Sequence, residues 1–315
     1  TIIFLFLYIF LSKTSINDFL YQYFLFPLTI GEGRLASDPS AYISLGDQLN
    51  FKRLIGEFKF IHIFYFPLIY LTFKSFVTKE KNPLQKINFI IILSVFLFFF
   101  NQLVTANQIY IFSLIPVIAS ILHLNLKKIK INKIYFIIII LFISFITTKF
   151  HYRFNVDRKF HDLENIDKGK AIDAEIISKK LSPLKWISSY SDPEEETSLI
   201  INAMETIRKD TRKKTLITHY QFLSLILEQD LNILNRWYLW DNNTHPTESH
   251  KYFAFYKGMI NKNIEKNNIE VIYLLGQENE ILFKNIKNYF PDKCFENNIL
   301  VEKKFSYHLI IDCKD

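Results

Sequence analysis

The sequence predicts a multipass membrane protein, all-α in its first half, followed by a small soluble α/β domain with a mostly parallel sheet and helices on both faces. Three observations predict it. Half of the 315 residues are hydrophobic and 17% are aromatic, with 32 Phe against 7 Gly, a bias away from globular usage and toward lipid. Long apolar runs fill the chain as far as Lys149 and then stop. Beyond that point helical and strand-like patterns alternate, with charged residues every few positions, as in a layered domain in water. The division is drawn between 1–149 and 150–315.

Residues 1–12 (TIIFLFLYIFLS) are apolar but too short for a hydrocarbon core of about 30 Å. They have neither the basic start nor the small-residue cleavage site of a signal peptide. They read as the remainder of a span, so the chain is expected to be the carboxy-terminal part of a longer protein. Four further spans are expected at 60–77, 87–106, 107–126 and 132–148, each satisfying its own backbone polar groups. Pro67 and Pro116 fall inside two of them, where neighbouring helices can re-satisfy the freed carbonyls.

The net charge of +7 would raise the question of nucleic acid in a soluble protein. Here the lysines flank apolar spans, so the bilayer is the expected partner and nucleic acid is not. The loop FKSFVTKEKNPLQK holds Lys74, Lys79, Lys81 and Lys86, and NLKKIKINK holds Lys127, Lys128, Lys130 and Lys133. The turn NQLVTANQ between them is uncharged. Lys-rich short loops stay in the cytoplasm, which puts the uncharged turn, the loop 13–59 and everything after Lys149 outside. The expected location is a bacterial cytoplasmic membrane with a periplasmic C-terminal domain.

Within the loop 13–59, Ser15 and Asp18 have capping-box spacing. Ile16, Phe19, Leu20, Tyr23 and Phe24 then repeat at helical spacing up to Pro27, which predicts an amphipathic helix on the outer membrane surface. Gly31 and Gly33 mark a turn around Arg34, and Asp38-Pro39 starts a second short helix. In the soluble domain Asp192-Pro193 begins a helix whose buried stripe is Ile200, Ala203, Met204 and Ile207. Strands are expected at Thr215–His219, Arg236–Trp240, Glu270–Leu275 and His308–Asp312. Helices are expected at Gln221–Glu228, Glu248–Lys266 and Asn279–Tyr289.

No P-loop, glycine-rich dinucleotide turn or G-x-S-x-G elbow is present. His245 and His250 read as solvated loop residues, with no metal-ligand spacing around them. Thr218 and His219 end a strand where open α/β sheets collect ligands, but a turn that caps the next helix is the simpler reading of them. Trp237, Tyr238 and Trp240 suit either a sugar ring or their own core. Cys294 and Cys313 lie outside the cytoplasm in this topology, where disulfides persist; a bridge and two buried thiols both remain open. Arg34, in an outer loop near the headgroups, could hold a lipid phosphate or stay solvated among headgroups. Asn101, Gln102, Asn107, Gln108 and Tyr110 offer uncharged groups for sugar hydroxyls or phosphate oxygens, or cap two helix ends.

The segment NQIYIFSLIPVIASILH (107–123) resembles the late helical hairpin of GT-C glycosyltransferases, in which a polar turn and a Tyr precede a proline-containing apolar helix. The outer loop (INDFLYQYFLFPLTIGEGR) and the domain after the last span resemble the architecture of the aminoarabinose and protein O-mannosyl transferases. The resemblance implies transfer of a sugar from a polyprenyl-phosphate donor on the outer face, with donor contacts at Arg34, Asn107, Gln108 and Tyr110. It implies a catalytic carboxylate, with a divalent metal in some branches, in a loop upstream of this chain, so no catalytic residue, cofactor or metal ligand is assigned within it. A polar turn with no basic residue departs from several branches. The alternative is a non-enzymatic component of polysaccharide assembly or transport. Transport would favour ionisable groups in mid-span, and His62 and His123 sit near span ends. A polymerase or ligase for lipid-linked sugars would place its large soluble part between spans. The topology predicts that cysteines introduced singly at Lys79 and at Ser191 differ in intact cells: an impermeant thiol reagent labels only the second.

Overall fold

The computed structural model describes residues 7, 9–11, 14–35, 42–79, 83–106, 111–128, 133–157, 166–188, 192–241, 243–276, 279–291, 293–296, 299–302, 304–311 and 313. The chain forms two compact units, one combining residues 1–27 with 165–315 and the other comprising 28–164. The expected start at Asp38-Pro39, most of the apolar run 1–12, and Asn107, Gln108 and Tyr110 lie outside the described residues.

The first unit begins with α1 (Ile16–Leu20), continued as a wider π turn over Tyr21–Leu25. Ser15 is its N-cap, its side chain accepting from the Asp18 amide at 3.0 Å, which satisfies one of the orphan donors of the first turn. One face packs on the unit's own core. Phe26 is buried against Tyr256, and Tyr21 stacks on Phe255 with ring centroids 3.6 Å apart. Ile16, Leu20 and Phe24 remain exposed on the other face.

The second unit opens with three short helices, α2 (Ile30–Arg34), α3 (Leu45–Gln48) and α4 (Phe51–Glu57). Four longer ones follow: α5 (Lys59–Val77), α6 (Gln85–Thr105), α7 (Leu114–Lys128) and α8 (Lys133–His151). Three of them, α5, α6 and α8, are long and apolar enough to cross a membrane. The span expected over 107–126 is shorter than that: α7 has 15 residues, about 22 Å at 1.5 Å per residue against a core of about 30 Å. Pro116 accounts for its late start, because proline fits the first turn of a helix and breaks an interior. Pro67 does lie within α5.

Phe58, Phe64, Leu68, Phe99, Ile115, Ile118 and Leu122 form the core of this unit. Phe66, Phe73, Phe89, Phe96 and Leu141 point outward, so these helices are apolar on every side. Two polar staples cross the core. Tyr65 donates to the Ile92 carbonyl at 2.9 Å, and Asn88 of α6 and Asn125 of α7 exchange amide hydrogen bonds of 3.0 Å in both directions. Both asparagines are buried, and Asn125 also donates to the Ile121 carbonyl at 2.8 Å, so the pair is satisfied inside the apolar core.

Back in the first unit, β1 (Ile172–Asp173) and β2 (Lys185–Trp186) form a small antiparallel pair. The main sheet has four strands, β3 (Lys214–Thr218), β4 (Val271–Leu275), β5 (Ile299–Glu302) and β6 (Phe305–Leu309), in the order β3-β4-β6-β5. Only β3 and β4 run parallel, and the β4–β6 and β5–β6 pairs are antiparallel. The expectation of a mostly parallel sheet is therefore corrected to a small mixed one. Two residues separate β5 from β6, which permits a hairpin and not the dozen or more that a parallel crossover needs. The last strand also starts earlier than expected, at Phe305.

Residues alternate between the two faces of β3 and β4. Ile217, Ile272 and Leu274 meet α11 (Phe253–Lys266) and α12 (Asn279–Lys287) through Ile260, Ile264, Leu282 and Ile286. Leu216, Val271, Tyr273 and Leu275 meet α9 (Pro193–Lys209) and α10 (Leu223–Leu227) through Ile200, Ala203, Met204 and Leu223. Asp192 caps α9 with its side chain on the Glu194 amide. The strand expected at Arg236–Trp240 is a loop. The Asn235 and Asp241 side chains accept from the amides of Trp237, Asn243 and Thr244, local bonds that compete with a sheet ladder. Cys294, buried just beyond α12, and Cys313, just beyond β6, are joined as a disulfide with Cα atoms 4.4 Å apart.

Two buried histidines of this unit tie its stability to pH. Burial pushes the pKa of His308, stacked on Phe283 with centroids 3.5 Å apart, down to about 4, and Lys287 adds to the effect. Burial, then Lys251, does the same for His250. An unfolded histidine titrates near 6.5, so below that pH the unfolded chain takes up protons that the folded chain refuses. Stability is full above about pH 6.5 and falls as pH drops toward 4, by at most about 3 kcal/mol per histidine. All three tryptophans (Trp186, Trp237, Trp240) lie in this unit, so Trp fluorescence melts of the whole protein in detergent measure it. The melting temperature is expected to fall across that window, and His308→Gln to flatten the fall.

Candidate functional site

Of the residues singled out in the sequence for donor contacts, Arg34 is described. It closes α2, which lies against the last turn of α6. The contact is close: a Cβ on Gly31 would stand 2.3 Å from the Val104 carbonyl oxygen, nearer than any real Cβ sits, so glycine is required there. A helix end leaves its last four carbonyls without intrahelical donors, and α6 stops at Ala106 in the left-handed conformation, φ 52°. Two of those carbonyls are met by arginines. Arg34 Nη1 donates to Thr105 O at 3.0 Å, and Arg53 Nη1 to Leu103 O at 3.4 Å. A guanidinium at the negative end of a helix dipole is favourable as well as hydrogen-bonded.

Arg53 is itself fixed. Its Nη1 also donates to Gln48 O at 2.8 Å, and its Nε and Nη2 fork onto the Glu57 carboxylate at 2.6 and 3.3 Å. Glu32, Gln48 and Gln102 are buried in the same cap. The Oε1 atom of Gln102 is buried without a hydrogen-bond partner, which is costly for a carbonyl that ligand or water could satisfy. The end of the bundle thus joins two arginines, two carboxylates and two buried amides, a set able to hold phosphate oxygens and sugar hydroxyls. Sequence reading found Arg34 and Gln102 but missed Glu32 and Arg53. A lone acid between two glycines carries no motif, and burial was the only signal.

The other sequence candidates resolve differently. Thr218 Oγ1 accepts from the Tyr220 amide at 3.0 Å, the turn role. His219 follows it at the end of β3, exposed at the surface, with its pKa lowered by partial burial of the ring. Gly276, at the end of β4 with φ +93°, comes so close that a Cβ would meet the Tyr220 ring at 2.6 Å. Beneath this edge, buried Glu196 accepts from Trp186 Nε1 at 2.9 Å and from the Tyr220 hydroxyl. His245 and His250, expected in solvent, are buried. His245 stacks on Trp240 at 3.6 Å and sits 3.0 Å from the Asn235 amide; burial holds its pKa well below the usual value. Trp240 therefore serves the core. Among the described residues no three His, Cys, Asp or Glu side chains converge as metal ligands.

No protein-family model matches this chain, and no curated protein or solved structure proves similar to it.

The close seat of α2 on α6 is testable by limited trypsin digestion in detergent, read at Lys52 and Arg53. Gly31→Ala forces the two backbones apart and breaks the Arg34 bond to Thr105. Charge-assisted hydrogen bonds contribute about 1.5–3 kcal/mol each, so cleavage within 28–57 is expected to accelerate by about tenfold or more. An unchanged rate would mean that α2 does not depend on the close approach.

Proposed function

We propose that this protein is a membrane glycosyltransferase of the GT-C kind. In this reading it moves a sugar from a polyprenyl-phosphate-linked donor to an acceptor at the outer face of a bacterial cytoplasmic membrane, with the C-terminal α/β unit outside the cytoplasm. One observation carries the reading. The end of α6 remote from the Lys-rich loop 74–86 is covered by a folded polar cap in which buried Glu32 shares a short helix with Arg34. A lipid-linked sugar phosphate would present its anion to arginine and its hydroxyls to carboxylate and amide groups at this depth.

In this scheme Arg34 positions the donor phosphate, and Glu32 and Gln102 accept from sugar hydroxyls. The group that activates the acceptor is not assigned to any residue of this chain. Resemblance of residues 107–123 to the GT-C hairpin supports the same reading.

Membranes holding the protein, incubated with a labelled polyprenyl-phosphate sugar, provide the test. Arg34→Ala and Glu32→Gln are each expected to lower transfer by about tenfold or more, as loss of a charge-assisted contact does. Full transfer by Arg34→Ala would remove Arg34 from the donor site. No transfer by the wild type from any lipid-linked sugar supplied would favour a non-enzymatic role in polysaccharide assembly or transport.

A further inference from the structure

The α/β unit contains a cavity of about 300 Å³, walled on one side by the segment 14–23 and on the other by the 233–236 loop and α11. It plays no part in the scheme above and belongs wholly to one unit. Its size falls at the lower end of small-molecule sites, and two of its residues are in states that an empty structural crevice does not explain.

The first is Arg236. It is half-buried, with its guanidinium carbon 5.3 Å from the Tyr23 ring centroid and 5.6 Å from that of Trp237. Among the described residues it has neither a carboxylate partner nor a hydrogen bond. Burial lowers its pKa, and Tyr256 and Tyr23 offset only part of that. Two aromatic faces recover part of the lost hydration, but five N–H donors remain to be met. The second is Gln22, only 7% exposed. Its amide lines the cavity and bonds to nothing among the described residues. The amide is open to the cavity, where a ligand can take its donors and its acceptor in place of water.

Three more groups complete the lining. Asn263 donates its Nδ2 to the Leu234 carbonyl at 2.8 Å, and among the described residues nothing donates to its Oδ1. Lys266 is exposed at the rim, and Asp18 contributes the one carboxylate. Two cations against one anion leave a single net positive charge, which matches a monoanion. Four acceptor or donor groups of Gln22, Asn263 and Asp18 beside that charge match hydroxyls. A planar guanidinium binds a carboxylate with two parallel bonds.

We propose that this cavity is a binding site for an acidic monosaccharide of the hexuronate class, with its carboxylate on Arg236 and its hydroxyls on Gln22, Asn263 and Asp18. The sugar can arrive free or as the end residue of a larger glycan; both present the same chemistry.

Intrinsic fluorescence provides the readout, because Trp237 lies against Arg236 and every tryptophan belongs to this unit. The whole protein in detergent is titrated with glucuronate, with neutral glucose, with inorganic phosphate and with a glucuronate-terminated oligosaccharide, at up to millimolar concentrations. Glucuronate is expected to give a saturable change that salt weakens and that glucose does not reproduce. Oligosaccharide binding tighter than free glucuronate assigns the glycan end as the source, and weaker binding the free sugar. Arg236→Gln and Lys266→Glu are each expected to weaken binding by about tenfold or more. The second is a rim substitution that reverses the net charge and leaves the core intact, so a folding defect in the first does not decide the matter. No saturable response to glucuronate or the oligosaccharide overturns the proposal. So does equal binding of glucose, tighter binding of phosphate, or unaltered affinity in Lys266→Glu. The transfer assay is independent of all these outcomes.

Discussion

A helix that ends at the edge of an apolar bundle must dispose of carbonyl oxygens that no further turn will bond, and much of the 28–164 unit is arranged around that need at Thr105. The chain preceding the spans folds into three short helices instead of a linker. It does so with a glycine where α2 touches the Val104 carbonyl, and with Arg34 and Arg53 delivered to the Thr105 and Leu103 carbonyls. Glu57 then holds Arg53, and Asn50 caps α4 so that Arg53 projects from a fixed place. Each step supplies donors for acceptors that neither lipid nor apolar side chains could satisfy. A cluster of polar and charged side chains at the end of α6 is the by-product.

The α/β unit answers the same requirement within its own fold. Its sheet is covered on both faces, and its irregular segments substitute side-chain bonds for ladder bonds. Asn235 illustrates this. One side chain holds the Trp237 amide, the Thr244 carbonyl and the His245 ring together, turning what could be a strand into a scaffold for buried aromatics. Lys214 does similar work at the start of β3, where its ammonium reaches the Ile207 carbonyl at the end of α9.

The parts legible in sequence were those written in local pattern. Uninterrupted apolar runs marked α5, α6 and α8; Ser15 and Asp192 marked helix starts; and the β-branched and aromatic run before Gly276 marked β4. Misreadings came where the deciding partner was distant or the signal was ambiguous. Pro116 reads equally as a kink within a span or as the first turn of a shorter helix. Strand direction between β5 and β6 was hard to read because the two residues between them in sequence are lysines, without the Asn-Gly or Asp-Gly signature of a tight hairpin. The aromatic run Trp237–Trp240 suggests a strand until Asn235 and Asp241 are seen to claim its backbone. The candidate site was half legible: an arginine near headgroups stands out, whereas a buried glutamate acquires meaning only from the helix packed on it. The cavity at Arg236 was invisible for the same reason, since residues 14–23 and 233–266 meet only in three dimensions.

Phe26 seated against Tyr256 makes the α/β unit discontinuous in the chain, and this sets an order of events during synthesis. The segment Ile16–Phe26 leaves the ribosome before the whole helical bundle, while the α11 surface that receives it is among the last parts made. At translation rates of 5–20 residues per second the wait is roughly 10–50 s. Throughout that interval the α11 surface that covers Tyr21 and Phe26 has not yet been made. Closing the core of the α/β unit is therefore a late step, because its first segment can dock only after nearly all of the chain has been made.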